Sequence, residues 1–167
     1  MHLVDRRAHA DAILCAPFAF SGLPQRKPAT HIRIWMRPSL GHWVSWSLFQ
    51  DQRWFARRII VRFMDPNTGL EDKSYGAEAI LDDTTAASCI EALNRLRISI
   101  PNVPESISLD GVRYGVEAVH TEFTIRITFR NEPPEGLRAL ADWLSETIDT
   151  LNRRLPEPTV PIDPIRF

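Results

Sequence analysis

The segment FTIRITFR, residues 123–130, alternates without a break: Phe123, Ile125, Ile127 and Phe129 fall on one side, Thr124, Arg126, Thr128 and Arg130 on the other. A period of two is the mark of a β-strand with one apolar and one polar face. Antiparallel sheets accommodate that asymmetry, whereas parallel sheets are buried on both faces. The expectation is a strand that buries one face and wets the other. Val112, Tyr114, Val116 and Ala118 supply a hairpin partner, and Asp110-Gly111 is a tight-turn signal that lets Ile107 and Leu109 begin a further short strand.

The first half repeats the pattern. In HIRIWM, Ile32, Ile34 and Met36 face one way, Arg33 and Trp35 the other. RPSLG turns the chain into HWVSWSLF, QDQR forms a hairpin loop, and WFARRIIVRF follows as a third strand. Arg57 interrupts the apolar face of Phe55, Ile59, Val61 and Phe63, which predicts a bulge or a late strand start near Arg58. DPNTG (65–69) is a turn by composition and SYGAEAIL (74–81) a fourth strand. Two segments carry helical spacing. Residues 82–97 place Ala86, Cys89, Ile90, Leu93 and Leu96 on one stripe, with Asp83 or Thr84 as N-cap. Residues 134–155 place Leu137, Leu140, Leu144, Ile148 and Leu151 on another, with Asn131 as cap and Arg153 and Arg154 at the C-terminal end of the dipole. A shorter helix over 5–15 has Ala8, Ala12 and Cys15 on one side.

These elements predict an α+β fold: a mostly antiparallel curved sheet of six or seven strands with two main helices packed on one face. Residues 1–155 read as one domain. Residues 156–167, with four prolines from Pro156 to Arg166, form an extended tail with Val160, Ile162, Ile165 and Phe167 available to dock. The length of 167 residues suits a single core. The N-terminal apolar run is too short for a membrane span or a signal segment, and Cys15 and Cys89 lack paired spacing, so the chain reads as cytoplasmic with two plain thiols. Residues 1–64 hold ten Lys/Arg against three Asp/Glu, and residues 65–167 hold ten against eighteen. One half can pair its charges with the other, which the near-neutral total favours; a basic face for an acidic partner is the alternative.

Four of the five tryptophans lie between residues 35 and 54, interleaved with arginines. Trp35, Trp43, Trp54, Arg33, Arg37 and Arg57 are therefore the candidate binding residues. Three readings stay open: a structural face with Val44, Trp46 and Leu48 inward, a protein interface rich in Trp and Arg, or a surface for nucleic acid or a small ligand. No cofactor is implied: there is no P-loop and no GxGxxG, and seven glycines leave little for phosphate cradles. No histidine pair has metal-ligand spacing on one helical face; only His31 and His42 have a route to meeting, across the first hairpin. No nucleophile elbow is present.

Residues 108–148, SLDGVRYGVEAVHTEFTIRITFRNEPPEGLRALADWLSETI, combine an Asp-Gly turn, two paired strands and a proline-started helix. This resembles a pattern common in small bacterial α+β proteins, some of them similar to immunity proteins, which bind and block a toxin of the same cell. Where such proteins often carry tryptophan at the end of the second strand, this chain has Phe129 and Arg130, and no functional residue is carried over. The resemblance implies a non-enzymatic protein-binding domain, an immunity or adaptor protein with a protein partner or a second copy of itself. The alternative is nucleic-acid or small-ligand binding through residues 31–63. Catalysis ranks behind both.

Overall fold

The computed structural model describes residues 3–63, 73–99, 111–158, 160 and 162. The order is α1 (Leu3–Cys15), β1 (His31–Pro38), β2 (Trp43–Asp51), β3 (Arg53–Arg62), β4 (Lys73–Leu81), α2 (Asp83–Asn94), β5 (Val112–Val119), β6 (Thr124–Arg130) and α3 (Arg138–Arg154). The six strands form one antiparallel sheet in the order β4-β3-β2-β1-β5-β6. The fold is α+β. The expected turn at 65–69 and the short strand at 107–109 lie outside the described residues.

Alternation decides which residues meet. Ile32, Ile34 and Met36 of β1, Val44, Trp46 and Leu48 of β2, and Tyr114 and Val116 of β5 share one face. On that face they join Ala86 and Cys89 of α2 and Leu140, Leu144, Ile148 and Leu151 of α3 in one core. Trp143 ties the two helices, its Nε1 donating to the Cys89 carbonyl at 3.0 Å. Burial pushes the Cys89 thiol pKa up, so the thiol stays protonated. Val160 is buried against the same core and Ile162 is half-buried on it, so this part of the tail docks on the body. The cap of α2 is Asp82, one residue earlier than expected, accepting from the Thr85 N–H at 2.8 Å.

The short N-terminal helix, which is not one of the two main helices, packs elsewhere. Ala10 and Leu14 of α1 pack with Ile59 and Val61 on the opposite face of the sheet. From residue 6 onward the buried residues of α1 are these two, whereas Ala8, Ala12 and Cys15 are exposed. With small residues on several sides, α1 carries no distinct stripe, and the expected face was the wrong one. The predicted bulge at Arg57 is also absent. β3 runs in unbroken register from Arg53 to Arg62 against both neighbours, because Arg57 lies opposite Glu78 and pairs with it. Asn131 does not cap α3. It takes a positive φ of 56° at the end of β6, and its Oδ1 accepts from the Val112 N–H at 2.9 Å. No helix among the described residues is long and apolar enough to cross a membrane.

Candidate functional site

The register places one row of polar residues across the whole sheet on the α1 side: Glu78, Arg57, Ser47, Arg33, Glu117 and Arg126, one from each strand. Each of its three arginines has a glutamate beside it. Arg33 Nη2 donates to Glu117 Oε1 at 2.8 Å, and Arg126 Nε donates to the other carboxylate oxygen at 2.6 Å. Arg57 Nε donates to Glu78 Oε2 at 2.8 Å, while Arg26, from the loop after α1, reaches Glu78 Oε1 at 2.9 Å and Asp51 at 3.0 Å. Other guanidinium donors of these arginines hold the covering layer. Arg33 donates to the Leu14 carbonyl at 3.0 Å, and Arg57 to the Pro17 and Pro24 carbonyls at 2.7 and 2.6 Å. Leu14 lies in the last turn of α1, whose carbonyls lack helical partners and favour a cation. The basic first half of the chain thus pairs with the acidic second half through Arg33–Glu117, Arg57–Glu78 and Arg26–Glu78.

This arrangement separates the six candidate residues. Arg33, Trp35 and Arg57 are 4, 5 and 0 % exposed, so they present no open surface. Trp35 lies flat over Gly115 on β5, where a Cβ would overlap its indole. Trp43 is half-buried, edge-on to Phe63, with Nε1 donating to the Pro38 carbonyl at 3.1 Å. Trp35 and Trp43 do not stack on each other. The Arg37 guanidinium lies over both rings, 5.7 and 5.3 Å from their centroids, and pairs with Asp11 of α1. His31 stands at the first position of β1 and His42 beyond its last, so these two histidines do not meet.

Trp54 is on the other face, and there it lines an apolar cleft of about 440 Å³. Its walls include Ile90, Leu93 and Leu96 of the α2 segment and Ile125 of β6. The volume is in the range of ligand sites, about 300–1,000 Å³. The rim is unusually apolar. Of the five exposed large hydrophobic residues among the described residues, Ile98, Phe123 and Ile125 all line this cleft. Clustered exposed hydrophobics mark an interaction site where scattered ones do not. His31 begins β1 beside the cleft, but its ring packs edge-on against Phe18 on the α1 side of the sheet, and its pKa is lowered by burial and by neighbouring Arg33.

No family model, curated protein or solved structure matches the chain. The site therefore rests on geometry.

Beside the cleft runs β6. Its neighbour is β5, and it has no second strand neighbour among the described residues. The strand with the clearest sequence pattern is thus at the edge of the sheet formed by the described residues. Phe129 is buried and Ile127 half-buried, but Ile125 is 52 % exposed and Phe123, just before the strand, 55 %. Both of its faces are presented: Ile125 and Ile127 toward the cleft, Thr124, Arg126, Thr128 and Arg130 on the other side. Sequence reasoning missed the cleft because α2, Trp54 and the β5–β6 hairpin are far apart in the chain. The available signal was Phe123 and Ile125 in a strand with no covering partner specified.

Proposed function

We propose that this chain is a non-enzymatic protein-binding domain that captures an extended segment of a protein partner along β6. The supporting observation is the coincidence of a strand edge, unpaired among the described residues, with an exposed apolar cleft. An edge strand offers a row of backbone donors and acceptors, and strand addition uses them for affinity while pockets for alternate side chains give specificity. The chemistry of β6 names the segment. Apolar side chains on one face of the incoming strand enter the cleft beside Ile125 and Trp54. Acidic side chains on its other face meet Arg126, which is 58 % exposed. Both edge arginines lie on one face, so they select by charge without blocking the apolar face. An adaptor or immunity role, in which the chain occupies part of another protein, is the form of function this binding serves. The alternative reading, nucleic-acid or small-ligand binding through residues 31–63, has less behind it, since stacking needs open aromatic faces, and Trp35 is buried while Trp43 and Trp54 are half-buried.

The test is selection of short random peptides displayed on phage against the wild-type chain, with counter-selection on Ile125→Glu. The expected result is enrichment of sequences alternating apolar and acidic residues, lost on the variant. Enrichment unaffected by Ile125→Glu would place the binding surface elsewhere.

A further inference from the structure

At the opposite end of the sheet from β6 the outer strand is β4, with β3 as its one strand neighbour among the described residues. It is nine residues long, KSYGAEAIL, and pairs one to one with β3 from Lys73 to Leu81, with no bulge to twist it away. Proteins protect such edges with lysines, prolines, bulges or short strands, because a long flat edge recruits another strand. β4 contains no proline, and its charges are Lys73, at its first position, and Glu78. Glu78 does not guard the edge. Its carboxylate belongs to the polar row on the α1 side, held by Arg57 and Arg26. Phe20 and Leu23 lie over the face of the strand at Gly76, and Ile80, on that same face, is 59 % exposed.

We infer that β4 pairs antiparallel with β4 of a second copy of this chain, about a two-fold axis at Ala77. Self-complementarity selects that occupant and that register. Ala77 is the midpoint of the strand, so a pair centred there engages all nine residues. Opposite pairs are then Lys73 with Leu81, Ser74 with Ile80, Tyr75 with Ala79 and Gly76 with Glu78, and no two like charges meet. Centring on Glu78 sets two carboxylates opposite each other, and centring on Gly76 leaves Ile80 and Leu81 of each copy beyond the end of the other's β4. Tyr75, Ala77 and Ala79 pack half-buried on the core face. There the Tyr75 ring of one copy falls beside Ala79 of the other, a small neighbour that leaves room for it. The two sheets become one, with β6 at both outer edges, so the function proposed for β6 neither needs this pairing nor is blocked by it.

The experiment is sedimentation equilibrium on the full chain, joined to disulfide trapping in a Cys15→Ser background that removes the exposed thiol. A dimer is expected. Ser74→Cys and Ile80→Cys, both at exposed positions, are expected to stay uncross-linked when each is oxidised alone and to cross-link when mixed. Opposite Cα atoms at about 4.5–5.5 Å fall within the disulfide range of about 4.4–6.8 Å. Ser74→Lys/Ile80→Lys sets lysines opposite each other and is expected to sediment as a monomer with unchanged circular dichroism, whereas Ser74→Lys/Ile80→Glu stays dimeric. A monomeric wild-type chain, a dimer that survives the paired lysines, a mixture that does not cross-link, or cross-linking of either cysteine variant alone overturns the assignment. A monomer that still selects peptides through Ile125 overturns it too, and leaves the β6 reading standing.

Discussion

Arg57 and Arg58 are consecutive residues of β3 with their guanidinium groups on opposite faces of the sheet, and both are buried, at 0 and 3 % exposure. Their environments differ in kind. Arg57 is neutralised by Glu78 and donates to two carbonyls of the layer that carries α1. Arg58 donates to Asn152 Oδ1 at 3.0 Å and to the Pro156 carbonyl, where the tail leaves α3. One arginine ties the sheet to its N-terminal cover, the other to its C-terminal one.

Removing Glu78 leaves Arg57 a buried cation without its counter-charge. Breaking such a pair destabilises by about 3–5 kcal/mol. Glu78→Ala is expected to lower the urea midpoint accordingly. Glu91→Ala, which removes the exposed Glu91–Arg95 pair, is expected to change stability by less than about 1 kcal/mol. Similar midpoints for the two variants would contradict the assigned role of Arg57.

Asn152 accepts from two buried donors, Trp46 Nε1 at 2.9 Å and Arg58 Nη1. Asn152→Ala leaves both unpaired, at about 1–3 kcal/mol for each donor. Asn152→Asp keeps an acceptor and adds a charge opposite Arg58, so it is expected to retain most of the stability. Thermal melts of the two variants check this; the Asp variant melting with or below the Ala variant would refute it.

Gly115 and Gly76 lie in one cross-strand row with Trp35, and each is covered by an aromatic ring, Trp35 over Gly115 and Phe20 over Gly76. A methyl group at either position overlaps the ring. Gly115→Ala is expected to destabilise by about 1–3 kcal/mol, as overpacking does, and to alter Trp35 fluorescence. An unchanged denaturation curve would mean that the indole moves aside freely.

These tests bear on parts of the fold that the chain discloses unequally. The alternation in β1, β2 and β5 identifies their inward residues because each strand has a covered apolar face. The same rule misjudged β3, since Arg57 is satisfied by Glu78, which stands 21 residues away with no local signal. Of the six candidate site residues, Arg33, Arg57 and Trp35 had the right composition for a surface and the wrong location. Only sheet register, not composition, reveals that an α1 layer covers them. Register likewise aligns Arg37, Arg113 and Arg130, which are ordinary solvent-side residues when each strand is read alone.

Two titrations separate by pH. The His31 pKa is lowered from its ordinary 6.5 mainly by burial and next by Arg33. The unfolded chain then binds the proton more readily, so stability is full above about pH 6.5 and declines as pH falls below it. The Asp82 pKa is lowered from 3.8 by the Thr85 backbone and hydroxyl bonds. Its contribution is present above pH 3.8 and is lost as pH falls through its lower folded value. His31→Gln is expected to flatten the stability profile below pH 6.5 and to leave the more acidic loss in place. A profile identical to wild type would exclude His31 as the source.

The most direct test of the proposed binding mode is amide hydrogen exchange, followed by NMR, on the chain alone and with a selected peptide. Strand addition predicts that alternate amides of β6, residues 124–130, exchange quickly in the free chain and become protected with peptide, while the Ile125 methyl signals shift. Binding that leaves the β6 amides unprotected, with changes confined to α2 and α3, would contradict capture along the strand edge.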